Sequence, residues 1–244
     1  IPLDSLPPTR LFTTLLALTS ALSLYAQNWY TWSPPVDSND YRMKSALSPS
    51  LESLYLYQDE HIFALKKPAG IHSVRLPSGQ GGASLADLLL EDTPSLGDVA
   101  PNKHDAGLVQ RLDFDTSGIL LGAKTKSAWE SLHQALLQGA FTKRYIALVE
   151  GMITESITIS SYIGSPYRGA KKMRSYEHPP LRNIRALLGT SIYKPYATCP
   201  IAGMSFVEVS ASPARRHQVR VHAATIGHTL VGDSLYGSAV VLPD

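Results

Sequence analysis

Between Leu108 and Ala123 the chain reads LVQRLDFDTSGILLGA, an apolar run whose only charges are Arg111, Asp113 and Asp115. A carboxylate flanked by Leu112 and Phe114 is expected to be at least partly buried. A buried carboxylate needs a cation or several hydrogen-bond donors. Asp113 could therefore be half of a structural ion pair, with Arg111 or a distant arginine, or a nucleophile kept ionised in a dry pocket. Asp115 has a local job, because it opens Asp-Thr-Ser-Gly, a turn sequence in which an aspartate accepts amides two residues on. Nothing local explains Asp113.

Two basic clusters could serve such a carboxylate or its substrate. ARRHQVRVH (214–222) carries Arg215, Arg216, His217, Arg220 and His222. Read as a helix over 215–228 ending at Gly227, it sets Arg216 beside Arg220 and Gln218 beside His222 at i, i+4. His217 and His222 are a poor metal pair with no acidic third ligand nearby, so no metal is expected. The cluster is instead a phosphate-contacting face or the counter-charge of a buried acid. Val219, Val221 and Ala223 draw part of it into the core. The second cluster, SPYRGAKKMRSYEHPPLRNIR (165–185), sets Arg168, Lys171, Lys172, Arg174, Arg182 and Arg185 against Glu177 alone. Interleaved Gly, Pro and Tyr make it a loop or loose hairpin. Such a segment can follow a phosphate backbone, with Tyr167 or Tyr176 stacking on bases. A merely solvated loop is the alternative, and the clustering favours nucleic acid.

The elements that must position these residues are mixed. LYLYQDEHIFALKKPAG reads as two short strands around a turn at Gln58–Glu60, closed by Pro68–Gly70. SLADLLLED (84–92) is a short helix with a capping box at Ser84 and Asp87. The run from Leu108 reads as one strand with Val109, Arg111 and Asp113 on a common face, then a turn, then a second strand ILLGAKT. KSAWESLHQALLQGA is a helix capped by Ser127 and Glu130 and stopped by Gly139. KRYIALVEG (143–151) and MSFVEVSA (204–211) are strands. Strands and helices mix without βαβ alternation, which predicts an α+β fold with a mixed, largely antiparallel central sheet and flanking helices.

The chain has 244 residues, 44% hydrophobic, 17% charged, with a net charge of +2. That is enough for one large α/β-type domain, or a domain plus an extension, and is not a disordered composition. Nucleic-acid binding would be local rather than driven by a whole-protein field. The single cysteine, Cys199, excludes an internal disulfide and a Cys-based zinc site, fits a reducing compartment, and is most simply a small buried residue. RLFTTLLALTSALSLYAQ (10–27) could be the core of a signal peptide, but Thr and Ser interrupt it. Leu11, Leu15, Leu18, Leu22 and Tyr25 fall at helical spacing, so a soluble amphipathic helix is favoured. Residues 28–50 read as an irregular linker. The chain does not begin with Met, which suggests a fragment or processed product.

Four segments in order resemble the RluA-type RNA pseudouridine synthases, over about residues 51–237. QRLDFDTSGILLGAKT is similar to H-R-L-D-x-x-T-S-G-L-L-L-x-A-K-T. KKPAGIHSV (66–74) resembles N-K-P-A-G-x-x-V-H, and KRYIALVEG resembles K-x-Y-x-A-x-V-x-G. ARRHQVRVHAATIGHTLVGDSLYG resembles G-R-T-H-Q-I-R-V-H-x-x-x-x-G-H-P-I-x-G-D-x-x-Y-G. The resemblance implies a catalytic domain over 51–244 that isomerises uridines of rRNA or tRNA to pseudouridine. It implies Asp113 as nucleophile, Tyr145 stacked on the uracil and aiding proton transfer, and Arg220 paired with Asp113. Arg111 would hold or replace the extruded nucleotide, and Arg215, His217, Gln218, Arg168, Lys171, Lys172 and Arg174 would bind RNA. The bond broken and the bond formed lie in one nucleotide, so no cofactor is required. A cytoplasmic monomer is the expected setting, with no membrane partner.

The sequence departs from the pattern at Gln110, where the family has His, at Arg216 for Thr and at Thr229 for Pro. It also stops at Asp244, short of the further strand most members carry. A non-catalytic RNA-binding relative, acting in RNA folding or ribosome assembly, is the rival reading. A carboxylate glycosidase ranks last, since it would need a second acid near Asp113 and Asp115 already belongs to the turn.

Overall fold

The computed structural model describes residues 50–76, 82–180 and 184–240. The helix expected at 10–27, the linker up to residue 49, and Arg182 lie outside the described residues. The chain divides into two compact units, one through His133 and one from Gln134 onward. The fold is α+β, as expected. The strands form two sheets rather than one, and every pairing between named strands is antiparallel.

The first unit opens with a single helical turn, α1 (Leu51–Leu54), then β1 (Tyr55–Gln58) and β2 (Ile62–Lys67). Asp59 makes the turn between these strands, its carboxylate accepting the amides of His61 and Ile62 at 2.8 and 2.7 Å. That is the Asx chemistry that lets a short polar side chain replace a ladder partner. β3 (Gly118–Ala123) pairs with β2 in continuous register, Ile62 opposite Ala123 and Lys67 opposite Gly118. Helix α2 (Leu85–Asp92) carries the expected capping box, with Asp87 N–H donating to Ser84 Oγ and Ser84 N–H donating to the Asp87 carboxylate. Its Leu85 and Leu89 close on Phe63, Leu65 and Leu120, all buried.

Three expectations fail here. Residues 108–113 form no strand; a lone bridge joins Leu108 to Gly122, so Val109, Arg111 and Asp113 share no strand face. Helix α3 (Lys126–Leu137) starts earlier than the Ser127/Glu130 box implies. Thr125 Oγ1 accepts Ala128 N–H at 3.3 Å, leaving Ser127 inside the first turn. Asp115 does sit in a turn, but the bond that closes it is backbone, from Thr116 N–H to Asp113 C=O at 3.1 Å. Gly139, at φ 73°, stands two residues after α3, where a left-handed residue ends a helix.

The second unit is a five-stranded sheet in the order β4-β8-β7-β5-β6, built from β4 (Lys143–Glu150), β5 (Ile157–Gly164), β6 (Arg174–Tyr176), β7 (Ala186–Cys199) and β8 (Met204–Ser212). Helix α4 (Gln218–Thr225) packs on it. Strand alternation sends Ala147, Val149, Tyr193, Val207 and Val209 into a core that Ala223 of α4 completes. α4 is shorter than the 215–228 helix expected. His217 takes a left-handed backbone at φ 55°, so Arg215 and Arg216 precede the helix. Cys199 is exposed at the end of β7, correcting the expectation of burial, because the strand runs on past its core contacts. Among the described residues no helix is long and apolar enough to cross a membrane.

Candidate functional site

Asp113 and Arg111 belong to the first unit, on a segment outside the sheet ladder. The chain holds this segment by two anchors. Ser73 Oγ donates to Leu112 C=O at 2.9 Å and accepts Leu112 N–H at 3.0 Å, so one hydroxyl replaces a strand partner for the residue before Asp113. On the other side Lys67 donates from Nζ to Phe114 C=O at 3.0 Å, and to Pro68 and Ile71 C=O at 2.9 and 2.7 Å. Phe114 C=O also accepts Gly70 N–H at 3.0 Å. Asp113 thus sits between two residues whose backbone is fixed, and is itself half-buried.

Lys67 has no exposed surface, which is unusual for a lysine. Burial draws its ammonium down to about 8, while the Asp115 and Asp113 carboxylates favour the charged form. Its three donors meet three carbonyls, which is full satisfaction for an ammonium. Sequence reasoning passed over Lys67 as one member of KKPAG. The usable signal was a lysine in alternation with Phe63 and Leu65, both core residues of the same strand.

Arg111 is exposed and pairs with Asp105 at 3.0 Å, and Gln110 donates to Ile119 C=O at 3.4 Å. Gln110 therefore ties the segment back to β3.

In the second unit Tyr145 lies in β4 opposite Val209, half-buried against the core. Lys143 shares its face two residues away, and burial lowers its pKa. Arg220 on α4 is gripped by Asp233, Nε to Oδ2 at 2.7 Å and Nη2 to Oδ1 at 2.8 Å. This bidentate fork fixes the guanidinium plane. Asp233 was not singled out from the sequence, because thirteen residues and a loop separate it from Arg220.

The remaining expected RNA-binding residues divide by burial. Arg168, Lys171, Lys172 and Arg174 are exposed, on the loop between β5 and β6 and at the start of β6. Arg216 donates to Ala170 and Lys171 C=O, so it holds that loop. Arg215 donates to Leu188 C=O, and burial lowers its pKa. Gln218 is buried, with its amide spent on Arg215 N–H, Thr190 C=O and Ser191 Oγ. His217 Nδ1 lies 2.9 Å from Tyr236 Oη. His222, fully buried, bridges Ser191 Oγ and Ser161 Oγ at 2.9 Å each, and burial pushes its pKa down to about 4. Among the described residues no group of three or more His, Cys, Asp or Glu could hold a metal ion.

Comparison with known proteins identifies the family of the chain. The family model described as RNA pseudouridylate synthase matches residues 61–225, which run through both units. The Bacillus subtilis (strain 168) protein named "Uncharacterized RNA pseudouridine synthase YhcT" is 34% identical over 205 residues, covering 83% of this chain and 63% of that protein. Ribosomal large subunit pseudouridine synthase D of Pseudomonas aeruginosa is 32% identical over 197 residues, covering 81% of this chain and 57% of its own length. The chain thus spans less than two-thirds of these curated relatives. Among solved structures, Human RNA Pseudouridylate Synthase Domain Containing 1 aligns with a TM-score of 0.55 at 28% identity, covering 79% of this chain and 73% of that one. With a family model matched over more than half its length, the chain belongs to the RNA pseudouridylate synthase family.

Proposed function

We propose that the chain isomerises specific uridines to pseudouridine in structured RNA, rRNA or tRNA, with Asp113 as nucleophile. Family membership carries the reading. The two anchors that fix the backbone on either side of Asp113 support it. The relatives' names favour ribosomal RNA of the large subunit.

In this reading the target base is flipped out of its stack, since its C1′ and C5 are out of reach within it. The Asp113 carboxylate bonds to C1′ as the C1′–N1 bond breaks. The uracil turns, C5 bonds to C1′ and the carboxylate leaves. The proton on C5 is lost and N1 regains one, so the product is an isomer and needs no cofactor. Tyr145 stacks on the uracil and aids loss of the C5 proton. Arg220 keeps Asp113 ionised, as a guanidinium does for a carboxylate in a dry pocket. Arg111 holds or replaces the extruded nucleotide. Arg168, Lys171, Lys172, Arg174, Arg215 and His217 face the RNA, while Gln218 braces the turn beneath them. Residues 51–244 act as one catalytic domain, in a cytoplasmic monomer.

The test is to map pseudouridines in total RNA from a strain lacking the protein, before and after adding it. Wild type is expected to restore one or more sites. Asp113→Asn, which keeps the shape and removes the nucleophile, is expected to bind RNA and restore none. Full activity of Asp113→Asn sinks the assignment, and wild-type binding without isomerisation in a single turnover favours the non-catalytic RNA-binding reading.

A further inference from the structure

Arg220 and the basic loop meet on one aromatic ring. Tyr236 is 4% exposed and packs with Met173, Ile163 and Val221. The guanidinium carbon of Arg220 and the ammonium of Lys172 each lie 5.1 Å from its ring centre. Its hydroxyl accepts Met173 N–H at 2.9 Å and lies 2.9 Å from His217 Nδ1. Three residues earlier Asp233 forks the same guanidinium. The segment is itself turned tightly, with Tyr236 N–H and Gly237 N–H both donating to Asp233 C=O at 3.1 Å.

The physical consequences differ between the two side chains. A guanidinium held by a carboxylate fork and a ring face has little orientational freedom. Two cations sharing one ring repel, and the Asp233 charge offsets part of that repulsion. The Tyr236 hydroxyl fixes the backbone of Met173, the residue between Lys172 and Arg174. Asp233 therefore acts on the arginine, and the Tyr236 hydroxyl acts on the loop.

We propose that Asp233 and Tyr236 are positioning residues of the reaction. Asp233 fixes the plane of the Arg220 guanidinium for its part in the reaction, and the Tyr236 hydroxyl sets the 170–174 loop for RNA. This rests on the function proposed above, in which Arg220 keeps Asp113 ionised.

The test uses an RNA carrying the uridine mapped above, with wild type, Asp233→Asn and Tyr236→Phe assayed well below their melting temperatures. Asp233→Asn is expected to lower kcat about tenfold with KM changed less than about twofold. Tyr236→Phe keeps the ring and loses the hydroxyl. Its KM is expected to rise about fivefold with kcat little changed. If both variants lose kcat and KM in step with melting temperature, the segment is only a structural clasp and the proposal falls. Should Asp233→Asn fail to fold, Asp233→Glu decides. A lowered kcat at constant KM supports the proposal, and wild-type kcat overturns it. Absence of any mapped uridine removes the function and this inference together. A dead Asp113→Asn beside an Asp233→Asn of wild-type kcat removes this inference alone.

Discussion

Lys67 Nζ donates to Phe114 C=O across 3.0 Å, so a fully buried lysine braces the residue after the candidate nucleophile. The same ammonium spans Pro68 and Ile71, which makes it the knot of the 66–74 segment. Lys67→Met keeps most of the volume and removes all three donors. It is expected to cost about 1–3 kcal/mol, since the part-buried carbonyls of Pro68 and Ile71 lose this donor and Phe114 C=O keeps only Gly70 N–H. Urea unfolding measures that loss. Turnover is expected to fall even at temperatures where the variant is fully folded, and unchanged turnover there would show that the brace does not set Asp113.

Gly122 in β3 lies under Phe63, and a methyl group there would come within 2.1 Å of the ring. Its backbone is ordinary, so the obstacle is packing alone. Gly122→Ala is expected to destabilise by about 1–3 kcal/mol, as overpacking does. Phe63→Leu frees space, so the double variant should cost less than the sum of the two singles. Strict additivity in a denaturation cycle would contradict this.

His222 gives the fold a one-sided pH dependence. Its folded pKa is depressed by burial from 6.5 to about 4. Below pH 6.5 the unfolded chain therefore binds a proton that the folded chain refuses. Stability is full above that pH and falls as pH drops through the window to about 4, by about 3 kcal/mol from this residue. His222→Gln should be weaker at neutral pH, because Ser161 and Ser191 lose their bridge, but flatter across the window. Urea midpoints at pH 7, 5.5 and 4.5 make the comparison.

Arg168 and Lys171 are exposed on the loop before β6. If they contact phosphates, each alanine variant should lower the slope of log K against log salt by about 0.7–0.9. Glu177→Ala should leave the slope unchanged or slightly steeper. Unaltered slopes for both basic variants would place the RNA elsewhere.

Much of this was legible in the residues because it is local. Ser84 and Asp87 cap α2 within four residues, and the turn at Asp59 and the alternation of β4 and β8 are equally short-ranged. β5 was readable too and was passed over; ITISSYIG alternates, but Ser161 stands where an apolar residue is expected and is satisfied by His222. β7 was hidden by Pro195, which sits beside the register shift against β8. Two of the misreadings were decided at long range. Residues 108–113 alternate like a strand, yet a serine hydroxyl thirty-nine residues away takes the place of a ladder. Arg216 has helical spacing to Arg220, yet loop carbonyls near residue 170 hold it outside α4. No period in the sequence encodes such partners.

The strand order has a consequence for how the second unit assembles. β7 and β8 are joined by a connection of a few residues, so their hairpin closes early at small entropic cost. Among the named strands β4 pairs with β8, about 50 residues further along the chain, so a long span must close before its first ladder bond forms. The strand that carries Tyr145 is thus the late arrival in the assembly order. A growing chain therefore exposes the segment between β5 and β6 before β4 has taken its place in the sheet.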